Sequence, residues 1–220
     1  MCIRDSMHTY SFEVKEVTED SCDGITLDQI STIHQETLEH GFLSSLGGQF
    51  LKQIYRELAK DPNSHLVCAT SNRVIVGFIC GTTNTSAFYK RFLKRNVLYG
   101  ILILFPKLIS FRFLKKIIET LIIPSKTKKI SLPSAQLLNF CISKEYQGNG
   151  VGGSLFKTLM SWFHSNNISE VTIITGKAQL SAQRFYQKQG LNQQNTVALH
   201  DNDESVVYIW NSKSNKPRLL

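Results

Sequence analysis

Residues 146–156 read YQGNGVGGSLF. Gly148, Gly150 and Gly152 alternate with larger residues, Gly153 follows, and the chain then turns apolar at helical spacing. Glycine at this density lets a backbone turn sharply or pass very close to a ligand. The run before it, AQLLNFCIS (135–143), is apolar and of strand length, and GSLFKTLMSWFHS (153–165) has the period of a helix. A strand, a glycine turn and a helix start together form an anion site, because the N–H groups of the first helical turn point outward and the helix dipole adds about half a positive charge there. A phosphate or pyrophosphate suits such a site. A P-loop would need Lys-Ser or Lys-Thr directly after the last glycine, and Gly153-Ser154 follows Gly152 instead. A dinucleotide fingerprint has the letters GNGVGG over 148–153, but it belongs in a first βα unit with an acid about 20 residues on. Here it lies past the middle of the chain. A plain glycine turn is the remaining reading, and the loop alone does not choose.

The 220 residues suit one domain of ordinary size with a real core. With 42% hydrophobic and 19% charged residues the composition is that of a globular domain. Five cysteines (Cys2, Cys22, Cys68, Cys80, Cys141) are scattered without a C-x-x-C pair or histidines at ligand spacing. They read as reduced thiols rather than disulfides or a metal site, and no metal is expected. No charged region followed by an apolar core opens the chain, so a cytoplasmic protein without a signal peptide is expected. Residues 1–6, MCIRDS, resemble the translation of a sequencing adaptor, which makes Met7 the expected natural start.

The net charge of +8 is concentrated. Between Asn84 and Pro133 eleven Lys or Arg face a single acid, Glu119, a local +10 that leaves −2 for the rest of the chain.

Outside that segment the pattern alternates. SFEVKEV (11–17) reads as a strand. TLDQISTIHQETLE (26–39) reads as a helix with Thr26 as cap, and QFLKQIYRELAK (49–60) as a second helix closed by Asp61-Pro62. HLVCAT and RVIVGFICGT form a hairpin about Ser71-Asn72. EVTIITG (170–176) is a strand, a helix from about Leu180 to Gln189 ends at Gly190, and NTVALH with ESVVYIW close the chain as a hairpin about residues 201–203. The class is mixed α and β, without internal repeats.

A second motif sits some thirty residues beyond the glycine loop: SAQRFYQKQGL (181–191). With it the chain resembles the GCN5-related N-acetyltransferase (GNAT) superfamily. That family's Q/R-x-x-G-x-G/A is matched by Gln147, Gly150 and Gly152, and its A-x-x-F-Y-x-K-x-G-F by Ala182, Phe185, Tyr186, Lys188 and Gly190, with Leu191 in place of the final Phe. The resemblance runs from about Tyr10 to Trp210 and is strongest over 137–191. It implies an α+β fold of three layers, α/β/α, around a twisted mixed, mostly antiparallel sheet of six or seven strands. Strands four (Leu137 to Ile142) and five (Val171 to Thr175) would splay apart to admit the pantetheine arm of acetyl-CoA. Residues 7–212 would be a single such domain, 84–133 a basic insertion before strand four, and 213–220 a tail.

The resemblance also assigns roles. Backbone N–H groups of Gln147, Gly148, Asn149, Gly150, Val151 and Gly152 would cradle the pyrophosphate. Backbone groups of Phe140, Cys141 and Ile142 would pair with pantetheine and polarise the thioester, as acyl transfer requires. Tyr186 would be the acid, since a phenol of pKa about 10 protonates or hydrogen-bonds a departing thiolate of pKa about 8.5. Gln179 stands where the family often has an Asn that contacts pantetheine. The base is open: Gln136 stands where many relatives have Glu, Asn139 is not basic, and Glu36, His40 and His34, in the helix that lines acceptor pockets, read first as solvated surface residues. Cys141 invites a covalent route, but the family transfers directly in a ternary complex and a buried strand cysteine is the simpler reading. The loop HGFLSSLGGQFL (40–51) is either an acceptor pocket or a plain connection.

Within 84–133, Val97 to Phe105 is too short to span a bilayer. Leu108, Phe111, Leu114, Ile117, Ile118, Leu121 and Ile122 share one helical face with Arg112, Lys116 and Glu119 opposite. Such a helix is a lid packed on the domain, or a contact for an anionic membrane surface. Nucleic acid is the least favoured partner. The expectation is an acetyl-CoA-dependent N-acetyltransferase acting on a primary amine of a small molecule, an amino sugar by loose analogy with insertion-bearing relatives, in a monomer or homodimer. The competing expectation is a non-catalytic CoA-binding or docking module.

Overall fold

In the computed structural model, residues 11–39, 41–108, 132–200 and 203–214 are described. Asp23 opens the first helix: its carboxylate accepts the Thr26 N–H at 2.7 Å, so the cap lies three residues before the Thr26 expected from sequence. The helix α1 (Gly24–Thr37) buries Leu27, Ile30 and Ile33 behind that cap. The stretch read as a connection holds a short helix, α2 (Phe42–Leu46), and α3 (Gly48–Lys60) follows with Phe50, Leu51, Ile54, Tyr55 and Leu58 buried. Strands β2 (Ser64–Ser71) and β3 (Val74–Thr82) pair about Asn72 and Arg73, both at positive φ (50° and 66°). A two-residue turn of this kind matches the twist of the strands it joins.

Seven strands make one sheet in the order β1-β2-β3-β4-β5-β7-β6, with β1 Glu13–Glu16, β4 Gln136–Ile142, β5 Glu170–Gly176, β6 Gln193–His200 and β7 Asp203–Asn211. All pairs are antiparallel except β4 with β5, which run parallel and pair only at Gln136↔Thr172 and Leu137↔Ile173. Beyond Leu137 the two strands part, which is the splay expected of a three-layer mixed fold. On one face α1, α3 and the next helix, α4 (Thr85–Leu108), cover a core that includes Leu66, Phe78 and Cys141. On the other, α5 (Val151–Ser165) and α6 (Leu180–Lys188) cover Val67, Ile79, Ile173 and Tyr208.

The first half of α4 is integral to the domain. Phe88, Tyr89 and Phe92 are buried, while Lys90 and Lys94 are exposed. Arg91 donates to both oxygens of the buried Asp61 at 2.9 Å, and Arg95 pairs with Glu57 at 3.4 Å. The helix kinks at Asn96 (φ −115°, ψ 16°), whose Oδ1 accepts from Gln53 Nε2 at 2.7 Å and whose Nδ2 donates to the Phe92 carbonyl at 3.0 Å. Side chains inserted into the carbonyl ladder are a recognised cause of such bends. The amphipathic face read over 108–122 lies outside the described residues beyond Leu108. No described helix is long and apolar enough to cross a membrane.

Candidate active site

The parting of β4 from β5 follows from one extra residue. Opposite β3, Cys80 pairs with Asn139 and Gly81 with Leu137, which leaves Leu138 as a bulge. Before the bulge, the Ala135 carbonyl faces β5 and accepts the Thr172 N–H at 2.9 Å. In an unbroken strand residues 137, 139, 141 and 143 would face the same way, because backbone direction alternates with period two. Yet the Ser143 N–H faces β3, donating to the Val76 carbonyl at 2.9 Å. The bulge has reversed the phase. Past it, Phe140 and Ile142 turn their backbone groups toward the gap, and the Ile142 carbonyl accepts the Gln147 side chain at 3.0 Å. Cys141, grouped with them from sequence, turns its backbone toward β3 and its thiol into the α1/α3 layer.

At the end of β4 a short turn (Lys144–Tyr146) leads into the glycine loop. Gly148 and Gly150 lie at φ +80° and +83°, a region costly to residues with a Cβ. Asn149 Nδ2 donates to the Glu145 and Gln147 carbonyls, both at 3.3 Å, which ties the loop to itself. Gly150 is the N-cap of α5 and supplies no side-chain cap, and the first bond into it runs from Ser154 N to Gly150 O at 3.1 Å. The N–H groups of Val151, Gly152 and Gly153 therefore have no intrahelical acceptor. A Cβ at Gly148, Gly150 or Gly153 would meet nothing within 4 Å. Gly152 differs: a Cβ there would stand 3.0 Å from Ile142 Cδ1 and 3.3 Å from Phe185 Cε2, so this glycine lets the helix lie close on β4. The loop thus combines open space with outward N–H groups at a helix N-terminus, which fits a pyrophosphate.

Tyr186 projects from α6 between Phe156, Phe185 and Tyr208, with ring centroids 5.5–6.2 Å away. It is 3% exposed. Burial pushes its phenol well above 10, with Cys141 and Tyr208 adding to the effect. Cys141 belongs to the opposite core layer. The Tyr208 hydroxyl beside Tyr186 is buried without a partner among the described residues. Gln179 closes the turn after β5: its Oε1 accepts from Thr175 Oγ1 at 2.7 Å and from the Gly176 N–H at 3.3 Å. That leaves its Nε2 as the group it has to offer a ligand.

The candidate bases fall differently from their sequence reading. His34 is 1% exposed, not solvated, and its Nδ1 lies 2.5 Å from the Tyr55 hydroxyl. Burial pushes Tyr55 up, so the phenol donates and the imidazole proton sits on Nε2. Burial also pushes His34 down to about 4 and keeps it neutral. Glu36 is exposed, and His40 lies outside the described residues. Gln136 is spoken for at the paired end of β4, where its Oε1 accepts from Thr85 Oγ1 at 3.1 Å. Cys141 is pushed up to about 12 by burial, and such a thiol is not a nucleophile near neutral pH. No group of three or more metal-ligating side chains occurs among the described residues. Sequence gave no sign of the bulge at Leu138 or of the His34–Tyr55 pair, because neither carries a turn residue or a motif.

Residues 109–191 match the acetyltransferase (GNAT) family. The matched stretch takes in both the glycine loop and the SAQRFYQKQGL motif. Solved GNAT structures share its fold at low identity. An acetyltransferase of this family from Streptococcus pneumoniae is 13% identical with a TM-score of 0.55, covering 91% of this chain and 99% of that one. The PaiA N-acetyltransferase of Thermoplasma acidophilum, solved in complex with coenzyme A, is 12% identical with a TM-score of 0.54 over 91% and 99%. The ribosomal-protein-S18-alanine N-acetyltransferase of Escherichia coli is 9% identical with a TM-score of 0.54 over 91% and 94%. No curated protein matches the chain.

Proposed function

We propose that this protein is a GNAT acetyltransferase that acetylates a primary amine of a small molecule, with amino sugars the first class to test, by direct attack of the amine on acetyl-CoA. The observation that carries the reading is the meeting of three features at one gap. The loop from Gln147 to Gly152 ends in free N–H groups, the Phe140 and Ile142 backbone faces the opening, and the buried Tyr186 belongs to the helix packed beside Phe140 and Phe156. Acetyl-CoA, when bound, supplies a thioester as acyl donor. The N–H groups of Val151, Gly152 and Gly153 would hold its pyrophosphate, and the Phe140 and Ile142 backbone would orient the arm. Tyr186, kept protonated by burial, would place its proton on the departing sulfur.

Part of the basic segment supports the lid reading, because residues 85–96 bury their aromatic face and engage Arg91 and Arg95 with Asp61 and Glu57. The test is a thiol-release assay with acetyl-CoA against amino sugars, polyamines, amino acids and peptide amines. Saturable acetyl-CoA binding with amine-dependent release supports the proposal. Binding without release on any amine returns the chain to a CoA-binding module.

A further inference from the structure

The layer formed by α5 and α6 holds two buried phenols side by side. The rings of Tyr186 and Tyr208 lie 5.5 Å apart at 45°. Tyr208 comes from β7, where it pairs in register with Ile173 of β5. Ile173 is the last residue of β5 paired to β4, so Tyr208 stands at the height where those strands part. Its hydroxyl is buried and has no hydrogen-bond partner among the described residues. A hydroxyl buried in that way lowers stability, so such groups are uncommon in folded proteins. Phenylalanine would supply the same ring without the penalty. The hydroxyl therefore calls for a use outside packing, and the neighbouring ring supplies one. Once Tyr186 has given its proton to the departing sulfur, its oxygen carries a negative charge among Phe156, Phe185 and Tyr208. Burial already raises that phenol well above 10, so handing the proton to a thiolate of pKa about 8.5 runs uphill. A hydrogen bond to the charged oxygen lowers that cost. Of the three aromatic neighbours, only Tyr208 has an O–H to donate.

We propose that Tyr208 is a positioning residue for the acid: its O–H donates to the Tyr186 oxygen as that oxygen gives up its proton. This rests on the acetyl-transfer reading above. The neutral amine adds to the thioester carbon, and the C–S electron pair then leaves on sulfur. The Tyr186 O–H bond breaks as an S–H bond forms. The nitrogen sheds its surplus proton to water, and water returns one to Tyr186. In the free protein the Tyr208 hydroxyl is not bonded to Tyr186, so the bond is made only as charge develops. An interaction confined to the transition state raises kcat and leaves substrate affinity alone. Catalytic hydrogen bonds commonly tighten at that stage.

Tyr208→Phe removes only the oxygen. With the best amine from the thiol-release panel, kcat should fall about 10–100-fold, the effect of one hydrogen bond to a charged group. The amine KM and the Kd for acetyl-CoA should stay within about twofold of wild type. Because the oxygen has no partner among the described residues, Tm should hold or rise. Turnover lost with stability kept is an outcome that a packing role does not produce. In a Tyr186→Phe background the same substitution should change kcat by less than about twofold, since the two phenols act as a unit. A kcat within about twofold of wild type for Tyr208→Phe alone overturns the proposal. So does a fall in Tm of several degrees, which would mark a structural partner for the oxygen, or an equal loss of kcat in both backgrounds. If the wild type releases no thiol with any amine, the acetyl-transfer reading falls and takes this assignment with it, a result distinct from an active enzyme indifferent to Tyr208→Phe.

Discussion

Replacing Gly150 separates the two things its position does. At φ +83° and ψ −14° it holds a left-handed conformation, and a Cβ would enter open space. Gly150→Ala therefore meets no clash, only the backbone penalty of about 1–2 kcal/mol. Restricting the unfolded chain offsets about 0.4–1 kcal/mol of it. The net loss is about 1 kcal/mol, which for a chain of this size lowers Tm by roughly 2–4 °C. Gly153 makes the control, since it lies inside α5 with equal room for a Cβ but no positive φ. Gly153→Ala should raise stability by about 0.5–1 kcal/mol through helix propensity. Gly150→Asp adds a carboxylate at the mouth of the anion site. A like charge there, at an effective dielectric near 20, is worth a few kcal/mol, so the affinity for coenzyme A should fall about 100-fold or more. Thermal unfolding followed by circular dichroism and titration calorimetry with coenzyme A read the two effects. If both alanine variants move Tm in the same direction, the left-handed assignment is wrong. If Gly150→Asp binds coenzyme A as tightly as the wild type, the loop does not hold the pyrophosphate.

Tyr186→Phe should lower kcat by about 100-fold or more with little change in acetyl-CoA affinity, and unchanged turnover under chemistry-limited conditions would remove the tyrosine from its role. Because burial raises that phenol, wild-type activity should show no alkaline limb due to Tyr186 below about pH 10. His34 has the opposite sign. Its folded pKa of about 4 lies below an unfolded value near 6.5, so the stability it contributes is present above pH 6.5 and declines as pH falls to about 4. The decline is about 3 kcal/mol, to which His65, also pushed down by burial, adds in the same sense. Denaturant unfolding across that range should show a flatter slope for His34→Leu, and an unaltered slope would refute the buried neutral imidazole. Gly81→Ala would set a Cβ 2.7 Å from Phe163 Cζ and 2.9 Å from the Gln136 carbonyl, and should cost about 2–3 kcal/mol in urea unfolding; a loss below about 0.5 kcal/mol would show that the strand yields there.

What was legible in the sequence was what local chemistry dictates. The strand at 170–176 has the bounds its apolar run suggests, and the glycine loop with the helix ending before Gly190 announces itself through residues chosen for backbone conformation. The α1 cap was displaced by three residues because Thr26 and Asp23 are both good caps, and only the geometry shows which oxygen meets which N–H. The connection at 40–51 hid α2 because a five-residue helix has too little periodicity to register. His34 looked solvated because its partner Tyr55 is 21 residues away on another helix.

The single extra residue at Leu138 makes the cleft a matter of counting. Because the bulge alone decides which carbonyls and amides line the opening, the segment from Leu137 to Ser143 tolerates exchange of side chains far better than a change in length. Deleting one residue there would restore an uninterrupted alternation. The backbone of Asn139 and Cys141 would then face β5, in phase with Leu137, and the ladder that ends at Leu137↔Ile173 would be free to zip onward. Closure of the two strands would be the default outcome of a regular chain, and the cavity between them is held open by a frame-shift written into the backbone.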